Sequence, residues 1–129
     1  MFRIVREPDL AQVLIIVTGE TSRSEIADGI ADFFSDQPDR FPDVIWDFAD
    51  ADLSRLTTDD VMDLVSISES YRDRRPLQGK TAIVAPTDLV YGLGRMYKTL
   101  SNRGDSGRIR VVRCREDALS WIGSGDKAL

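Results

Sequence analysis

Five aspartates lie close together in the middle of the sequence, and they are the residues with the clearest potential for chemistry: Asp47, Asp50, Asp52, Asp59 and Asp60. Clustered carboxylates can bind a hard cation such as Mg²⁺, which prefers oxygen ligands. Their spacing does not match the pattern of a Ca²⁺-binding loop. We therefore predict no metal site, and we expect these side chains to be solvated or to cap a helix.

Several other kinds of chemistry are excluded by composition or by spacing. The sequence contains no histidine, so a Ser-His-Asp hydrolase is ruled out. Residues 18–22 follow a predicted strand and precede a predicted helix, but they lack the further glycines and the lysine of a phosphate-binding loop. The single cysteine, Cys114, cannot form an internal disulfide, and we expect it in the core. We predict no catalytic residue, no cofactor and no enzymatic activity.

The hydrophobic pattern predicts the elements that must position these residues. Residues 13–17 and the run that begins at Val44 are apolar at successive positions, which is typical of strands covered on both faces. The full order is β-β-α-β-α-β-α-β-α. It predicts an α/β fold with a mixed, mostly parallel sheet of four to five strands and with helices packed on it. We expect one domain, residues 1–123, followed by a disordered tail, residues 124–129.

The doubly apolar strands raise the question of what covers the second face of the sheet. If the strands lie in sequential order, right-handed crossovers place all their helices on one face. An N-terminal segment, a ligand or a second copy of the chain could cover the other face, and we predict a homodimer. The inward face of the third helix is expected to contain Leu89, Gly92, Leu93, Met96, Tyr97 and Leu100, with Gly92 in close contact with the sheet.

The strand that begins at Val44 is expected to break into an Asp-rich loop that ends at a helix cap formed by Thr57 and Thr58. Partners and ligands gather beyond the carboxyl ends of the strands in an open α/β sheet. We therefore predict a partner-binding edge made by this loop and the starts of two helices: Asp47, Asp50, Asp52, Ser54, Thr57, Thr58, Thr87 and Asp88.

Charge and hydropathy limit the possible partners. The net charge of −5 argues against general nucleic-acid binding. The charge is uneven, because residues 36–63 hold nine Asp against two Arg and residues 95–115 hold seven Arg and Lys against one Asp. We interpret both regions as solvated faces. The start of the chain does not match a signal peptide and no apolar run is long enough to span a bilayer, so we expect a cytoplasmic protein with no integral membrane segment.

Five segments of the sequence resemble the SpoIIAA-like STAS/SEC14 family of small bacterial proteins of unknown function: VLIIVTGE (13–20), VIWD (44–47), ADLS (51–54), KTAIVAP (80–86) and LVYGLGRMY (89–97). The resemblance covers nearly the whole chain and implies a mixed sheet with helices packed on it. It points to two kinds of relative. Anti-sigma-factor antagonists bind a partner kinase and are switched by phosphorylation of a serine at the start of the second helix, whereas SEC14-type domains hold a lipid or another apolar ligand.

The sequence departs from the antagonist pattern at the phosphorylated turn. An Asp-Ser-Ser-Gly-like turn is expected there, but residues 56–59 read Leu-Thr-Thr-Asp. Thr57 or Thr58 is a possible phosphoacceptor, because a helix N-terminus stabilises a phosphate. Asp59 and Asp60 would repel the added charge, and a plain helix cap is the alternative interpretation.

A second set of residues could line an apolar pocket between a helix and the sheet: Phe33, Phe34, Tyr91, Met96 and Tyr97. A closed core would place the same side chains together. We predict a non-enzymatic binding or regulatory module that acts by protein–protein interaction with an unidentified protein. The alternative is a carrier or sensor of a small apolar or lipid-like ligand.

Overall fold

The computed structural model describes residues 1–35, 43–71, 79–101 and 107–123. The described strands are β1 (Phe2–Glu7), β2 (Gln12–Glu20), β3 (Asp43–Asp52), β4 (Thr81–Val84) and β5 (Ile109–Val112). The described α-helices are α1 (Arg23–Phe34), α2 (Thr58–Ser70), α3 (Asp88–Leu100) and α4 (Arg115–Ile122). The predicted order of elements is confirmed. The tail predicted at residues 124–129 lies outside the described residues.

The strands form a sheet in the sequential order β1-β2-β3-β4-β5. The pair β1–β2 is antiparallel, and the three pairs that follow are parallel. Each parallel pair is joined by a helix, and right-handed crossovers in sequential order put α1, α2 and α3 on one face. The predicted mixed, mostly parallel sheet is therefore confirmed.

The face under α1, α2 and α3 carries the larger core. It takes every second residue of each strand, as the alternation of side chains along a strand requires. Val13, Ile15 and Val17 of β2 contribute to it, beside Val44 and Trp46 of β3. Ile15 is fully buried there. Burying a side chain of this size stabilises the fold by roughly 1.5–3 kcal/mol.

The second face of the sheet is covered by the chain itself over its central strands. Ala118 and Ile122 of α4 pack with Ile45, Ala82 and Val84, and all five residues are buried. A second copy of the chain is therefore not needed to cover these strands. The expected homodimer stays a prediction, but it loses the physical reason that motivated it.

The sequence predicted that β3 breaks into a loop after Asp47. This prediction was wrong, because β3 continues as a strand to Asp52. It pairs with β4 only over Val44–Asp47, whereas its pairing with β2 continues to the end of both strands. This pairing overrides the low strand propensity of Asp. The residues after Asp47 form a projecting end of the sheet that has β2 on one side and extends beyond β4 on the other.

A β-bulge separates the projecting end from the rest of β3. Ile16 pairs with Asp47 and Thr18 pairs with Asp50, so β3 contains one residue more than β2 at this place. Asp47 Oδ1 accepts a hydrogen bond from the backbone N–H of Ala49 at 2.9 Å, which holds the bulge. The extra residue reverses which side chains face the core. Even-numbered residues face it before the bulge, and odd-numbered residues, such as Leu53, face it afterwards.

The inward face of α3 matches the predicted one only in part. Leu93 and Tyr97 pack against the core as expected. Val90 and Gly94 are its buried residues, whereas Leu89 and Leu100 are exposed. A Cβ atom at Gly94 would lie 3.1 Å from Val111 Cγ1, but a Cβ atom at Gly92 would have nothing within 4 Å. The glycine that lies close to the sheet is therefore Gly94, and the prediction for Gly92 was wrong.

Candidate functional site

Asp47, which the sequence placed at the partner-binding edge, is buried at the end of the β3–β4 pairing. Its side chain is 5 % exposed, and Oδ2 accepts hydrogen bonds from Arg115 Nε at 2.9 Å and Nη2 at 2.6 Å. The other carboxylate oxygen accepts the bond from Ala49. Both oxygens of Asp47 are therefore used inside the fold. The side chain joins the bulge of β3 to the first residue of α4.

Asp50 and Asp52 lie on the projecting end of β3 and are exposed. Asp52 Oδ1 accepts a hydrogen bond from the backbone N–H of Ser54 at 2.9 Å. The pKa of Asp52 lies below its ordinary value, because the Ser54 hydroxyl and backbone N–H both donate to its carboxylate and Arg55 adds a favourable charge. The turn after β3 therefore holds a carboxylate in one orientation, with its charge facing solvent.

Thr57 is the N-cap of α2 and forms the two bonds of a capping box. Its Oγ1 accepts from the backbone N–H of Asp60 at 3.1 Å, and its own N–H donates to Asp60 Oδ2 at 3.0 Å. The predicted helix cap is confirmed for this residue. Thr58, the first residue of α2, is exposed. The two threonines are both exposed, but they differ because the Thr57 hydroxyl oxygen accepts a hydrogen bond in the capping box.

Thr87 and Asp88 begin α3 at the same edge of the sheet. Thr87 Oγ1 accepts from the backbone N–H of Val90 at 3.3 Å, so Thr87 is a helix cap like Thr57. Asp88 is almost fully exposed, and its Oδ1 lies 3.1 Å from Arg113 Nη1. Among the described residues, no hydrogen bond or ion pair joins Thr87 or Asp88 to the end of β3.

We call four exposed residues between the end of β3 and the start of α2 the Asp-rich edge: Asp50, Asp52, Ser54 and Thr58. Asp47 supports this surface from within, and Thr57 fixes the start of α2 beside it through the capping box. Within the described ranges, no three acidic, cysteine or histidine residues lie together in a way that could hold a metal ion. The arrangement offers exposed carboxylates and hydroxyls on a rigid support, which suits recognition of a surface.

The predicted apolar pocket forms only in part. A cavity of about 120 Å³ lies between the sheet and helices α1–α3, and Phe33, Phe34 and Tyr97 line it. Tyr91 and Met96 do not line it. Tyr97 donates a hydrogen bond from its hydroxyl to Ser68 Oγ at 2.6 Å, which joins α3 to α2 at the cavity wall. The reason for the difference is the rotated inward face of α3, which turns Tyr91 and Met96 away from the cavity.

Sequence reasoning missed the two arginines that follow β5. Arg113 and Arg115 both reach across the sheet edge to aspartates, but the chain around them was interpreted as a solvated face. Cys114 between them is exposed rather than in the core, because β5 ends at Val112. The signal that could have revealed Arg115 is a cation directly after the last strand, where it can meet an acid at the end of a neighbouring strand.

The sheet order, the antiparallel first pair and the placement of the helices define a SpoIIAA-like fold, the fold of STAS domains. The anti-sigma factor antagonist SpoIIAA in its unphosphorylated form aligns with a TM-score of 0.53 at 15 % identity, over 97 % of this chain and 100 % of that chain. The Bacillus cell fate determinant SpoIIAA in the phosphorylated form aligns with a TM-score of 0.48 at 15 % identity, over 95 % of this chain and 99 % of that chain. No family model and no curated protein matches the sequence.

The comparison confirms the predicted fold. The helices that the structure describes include none that combines the length and the apolar character needed to cross a membrane.

Proposed function

We propose that this protein is a cytoplasmic, non-enzymatic regulatory module that binds another protein through its Asp-rich edge. The observation that carries the proposal is the projecting end of β3, which places exposed Asp50 and Asp52 beyond the end of β4. The fold supports it, since SpoIIAA is described as an anti-sigma factor antagonist, a role exerted on another protein.

The support behind the edge favours recognition of a preformed surface. The bulge, the Ser54 turn and the Thr57 capping box fix the chain on both sides of the exposed carboxylates. A surface that is ordered before binding loses less conformational entropy when it associates. Exposed charges at an interface act mainly on the association rate and on the choice of partner. We therefore expect a partner with a basic surface and binding that weakens as salt increases.

The test is affinity capture of a partner protein from the cells that make this protein. The edge variant and the control variant change the net charge by the same amount. Wild type is compared with Asp50→Lys/Asp52→Lys and with a control, Asp9→Lys/Asp28→Lys, which reverses two exposed aspartates away from the edge. We expect one protein to be recovered with wild type and control and to fall at least tenfold with the edge variant. Equal recovery with all three proteins, or recovery with none, would overturn the proposal. Native mass spectrometry of the same samples gives the number of subunits.

We further propose that Thr58, rather than Thr57, is the residue at this edge that accepts a phosphate. Phosphorylation of Thr57 would place the phosphate beside the Asp60 carboxylate that the capping box holds against Thr57, whereas Thr58 is exposed and takes no part in the capping box. A negative charge in the first turn of a helix is favourable, although Asp59 opposes it. Peptide mass spectrometry of protein from its own cells should place phosphate on Thr58. Phosphate on Thr57, or none at either threonine, contradicts this assignment.

The cavity favours a second candidate function, the binding of a small apolar ligand. Its volume of about 120 Å³ is well below the ~300 Å³ of the smallest usual ligand pockets and below the ~150 Å³ of an engineered apolar cavity that binds benzene. We therefore expect a ligand no larger than benzene in place of the lipid-like ligand that the resemblance implies. Xenon-induced shifts of the methyl resonances of Ile26 and Leu64 test this function, and unchanged resonances contradict it.

A further inference from the structure

A second surface, independent of the Asp-rich edge, lies along β5, the outer strand of the sheet. The carbonyls of Arg108 and Val112 accept hydrogen bonds from Thr81 and Ala85 at 2.7 and 2.8 Å, so these residues direct their backbone toward β4. Successive residues of a strand direct their backbone groups to opposite sides. The N–H and C=O groups of Ile109 and Val111 therefore point away from the sheet, toward the place of a further strand.

Among the described strands none lies beyond β5, and two helices flank its outer edge to form a cleft of about 590 Å³. Tyr91, Arg95 and Lys98 of α3 form one wall, Trp121 is part of the α4 wall, and residues 110–113 form the floor. An edge strand in such a cleft can pair only with a segment that enters in extended form between the two helices.

The cleft is strongly basic in a protein whose net charge is −5. Its described lining residues include four cations, Arg95, Lys98, Arg110 and Arg113, against the single carboxylate of Asp117. Arg113 stacks 4.0 Å from the Tyr91 ring and also pairs with Asp88. Over the part of the chain that the structure describes, no carboxylate lies within ion-pair distance of the other three cations.

The cations stand on both sides of the strand edge. Arg110 lies on the side of α4, 5.3 Å from the centre of the Trp121 ring, whereas Arg95 and Lys98 come from α3 on the opposite side. A strand added to β5 would direct alternate side chains to the two sides. Acidic side chains at both odd and even positions would thus meet a cation.

We propose that the β5 cleft binds an acidic segment of a partner protein, which adds to the sheet as a sixth strand. Its backbone would bond to the outward groups of Ile109 and Val111, in the manner of β-strand addition. Its carboxylates would pair with Arg110 on one side and with Arg95 and Lys98 on the other. Such a protein would join two partners. The acidic Asp-rich edge would bind a basic surface of one partner, and the basic β5 cleft would bind an acidic strand of the other.

The test uses a fluorescein-labelled, amidated octapeptide with repeating Thr-Glu-Glu, and it measures binding to the intact protein by fluorescence polarisation. Two further peptides carry N-methyl groups at alternate backbone positions. One is methylated at the odd positions and the other at the even positions. Only one edge of an added strand faces β5, so we expect one methylated peptide to lose at least tenfold in affinity and the other to bind like the parent. If the parent does not bind, or if both methylated peptides bind equally well, the proposal is wrong.

Charge reversal gives an independent readout. We expect Lys98→Glu and Arg110→Glu each to weaken peptide binding about fivefold, which corresponds to the upper end of the strength of an exposed ion pair. Arg3→Glu is the matched control, because Arg3 is an exposed arginine on β1 at the opposite edge of the sheet, and it should leave binding unchanged. Far-UV circular dichroism confirms that each variant is folded. Equal weakening by all three variants would indicate a general polyanion surface and overturn the proposal. The same conclusion would follow if heparin bound as tightly as the acidic peptide when both affinities are compared per negative charge.

Discussion

The ion pair between Asp47 of β3 and Arg115 of α4 should contribute measurably to the free energy of unfolding. We test it with Asp47→Asn, Arg115→Met and the double variant. Asn at position 47 keeps an oxygen that can accept from Ala49 N–H, but it removes the charge that Arg115 pairs with. Met at position 115 keeps an unbranched side chain without any donor. The two single variants therefore remove the same interaction from its two sides.

The structure sets the expected size of the effect. The Asp47 side chain is 5 % exposed and receives two charge-assisted bonds from Arg115, each worth about 1.5–3 kcal/mol in a dry site. Arg115 is 46 % exposed, so solvent screening reduces the pair to about 2 kcal/mol in all. Each single variant should lower the free energy of unfolding by about 2 kcal/mol, and the double variant by clearly less than the sum.

Urea unfolding followed by tryptophan fluorescence gives the three values, provided that the variants share one m-value. Arg113→Met is the control, because Arg113 is 49 % exposed and its partner Asp88 is 98 % exposed. That variant should cost less than about 1 kcal/mol. A coupling energy below about 0.5 kcal/mol between positions 47 and 115 would refute the reasoning, since independent effects would then add.

Two further predictions follow from contacts already described. Gly92→Ala should raise the free energy of unfolding by about 0.5–1 kcal/mol. Gly94→Ala should lower it by about 1 kcal/mol or more, because a Cβ atom at position 94 would crowd the sheet. Equal effects of the two variants in urea unfolding would contradict this. Ser54→Ala should raise the pKa of Asp52 toward its ordinary value, measured by NMR titration. Because the native pKa of Asp52 is depressed, the Ser54 contribution is present above the unfolded pKa and is lost as pH falls through the native pKa; an unchanged pKa contradicts this prediction.

The sequence was sufficient for the parts of the fold that depend on local pattern. The alternation of strands and helices predicted the element order, and Thr57 was recognisable as a helix cap because a hydroxyl precedes an acidic first turn. These signals lie within a few residues of one another. They need no knowledge of which elements become neighbours.

The misjudged parts depend on distant neighbours. β3 extends to Asp52 because β2 continues beside it to Glu20, and no local feature of the Asp-rich segment shows this pairing. Asp47 and Arg115 are separated by most of the chain, so the burial of Asp47 could not be predicted from residues near it. The exposed residues of the Asp-rich edge were predicted as a group, but the sequence did not separate them from those that support the fold.

The position of α4 has a consequence for the way the protein is made. Ala118 and Ile122 are synthesised after all five strands, yet they cover Ile45, Ala82 and Val84 on the second face. A nascent chain that has completed β5 therefore has an apolar sheet face open to water until α4 leaves the ribosome. Transiently exposed apolar surface of this kind favours aggregation. A premature stop after β5 would make this transient state permanent.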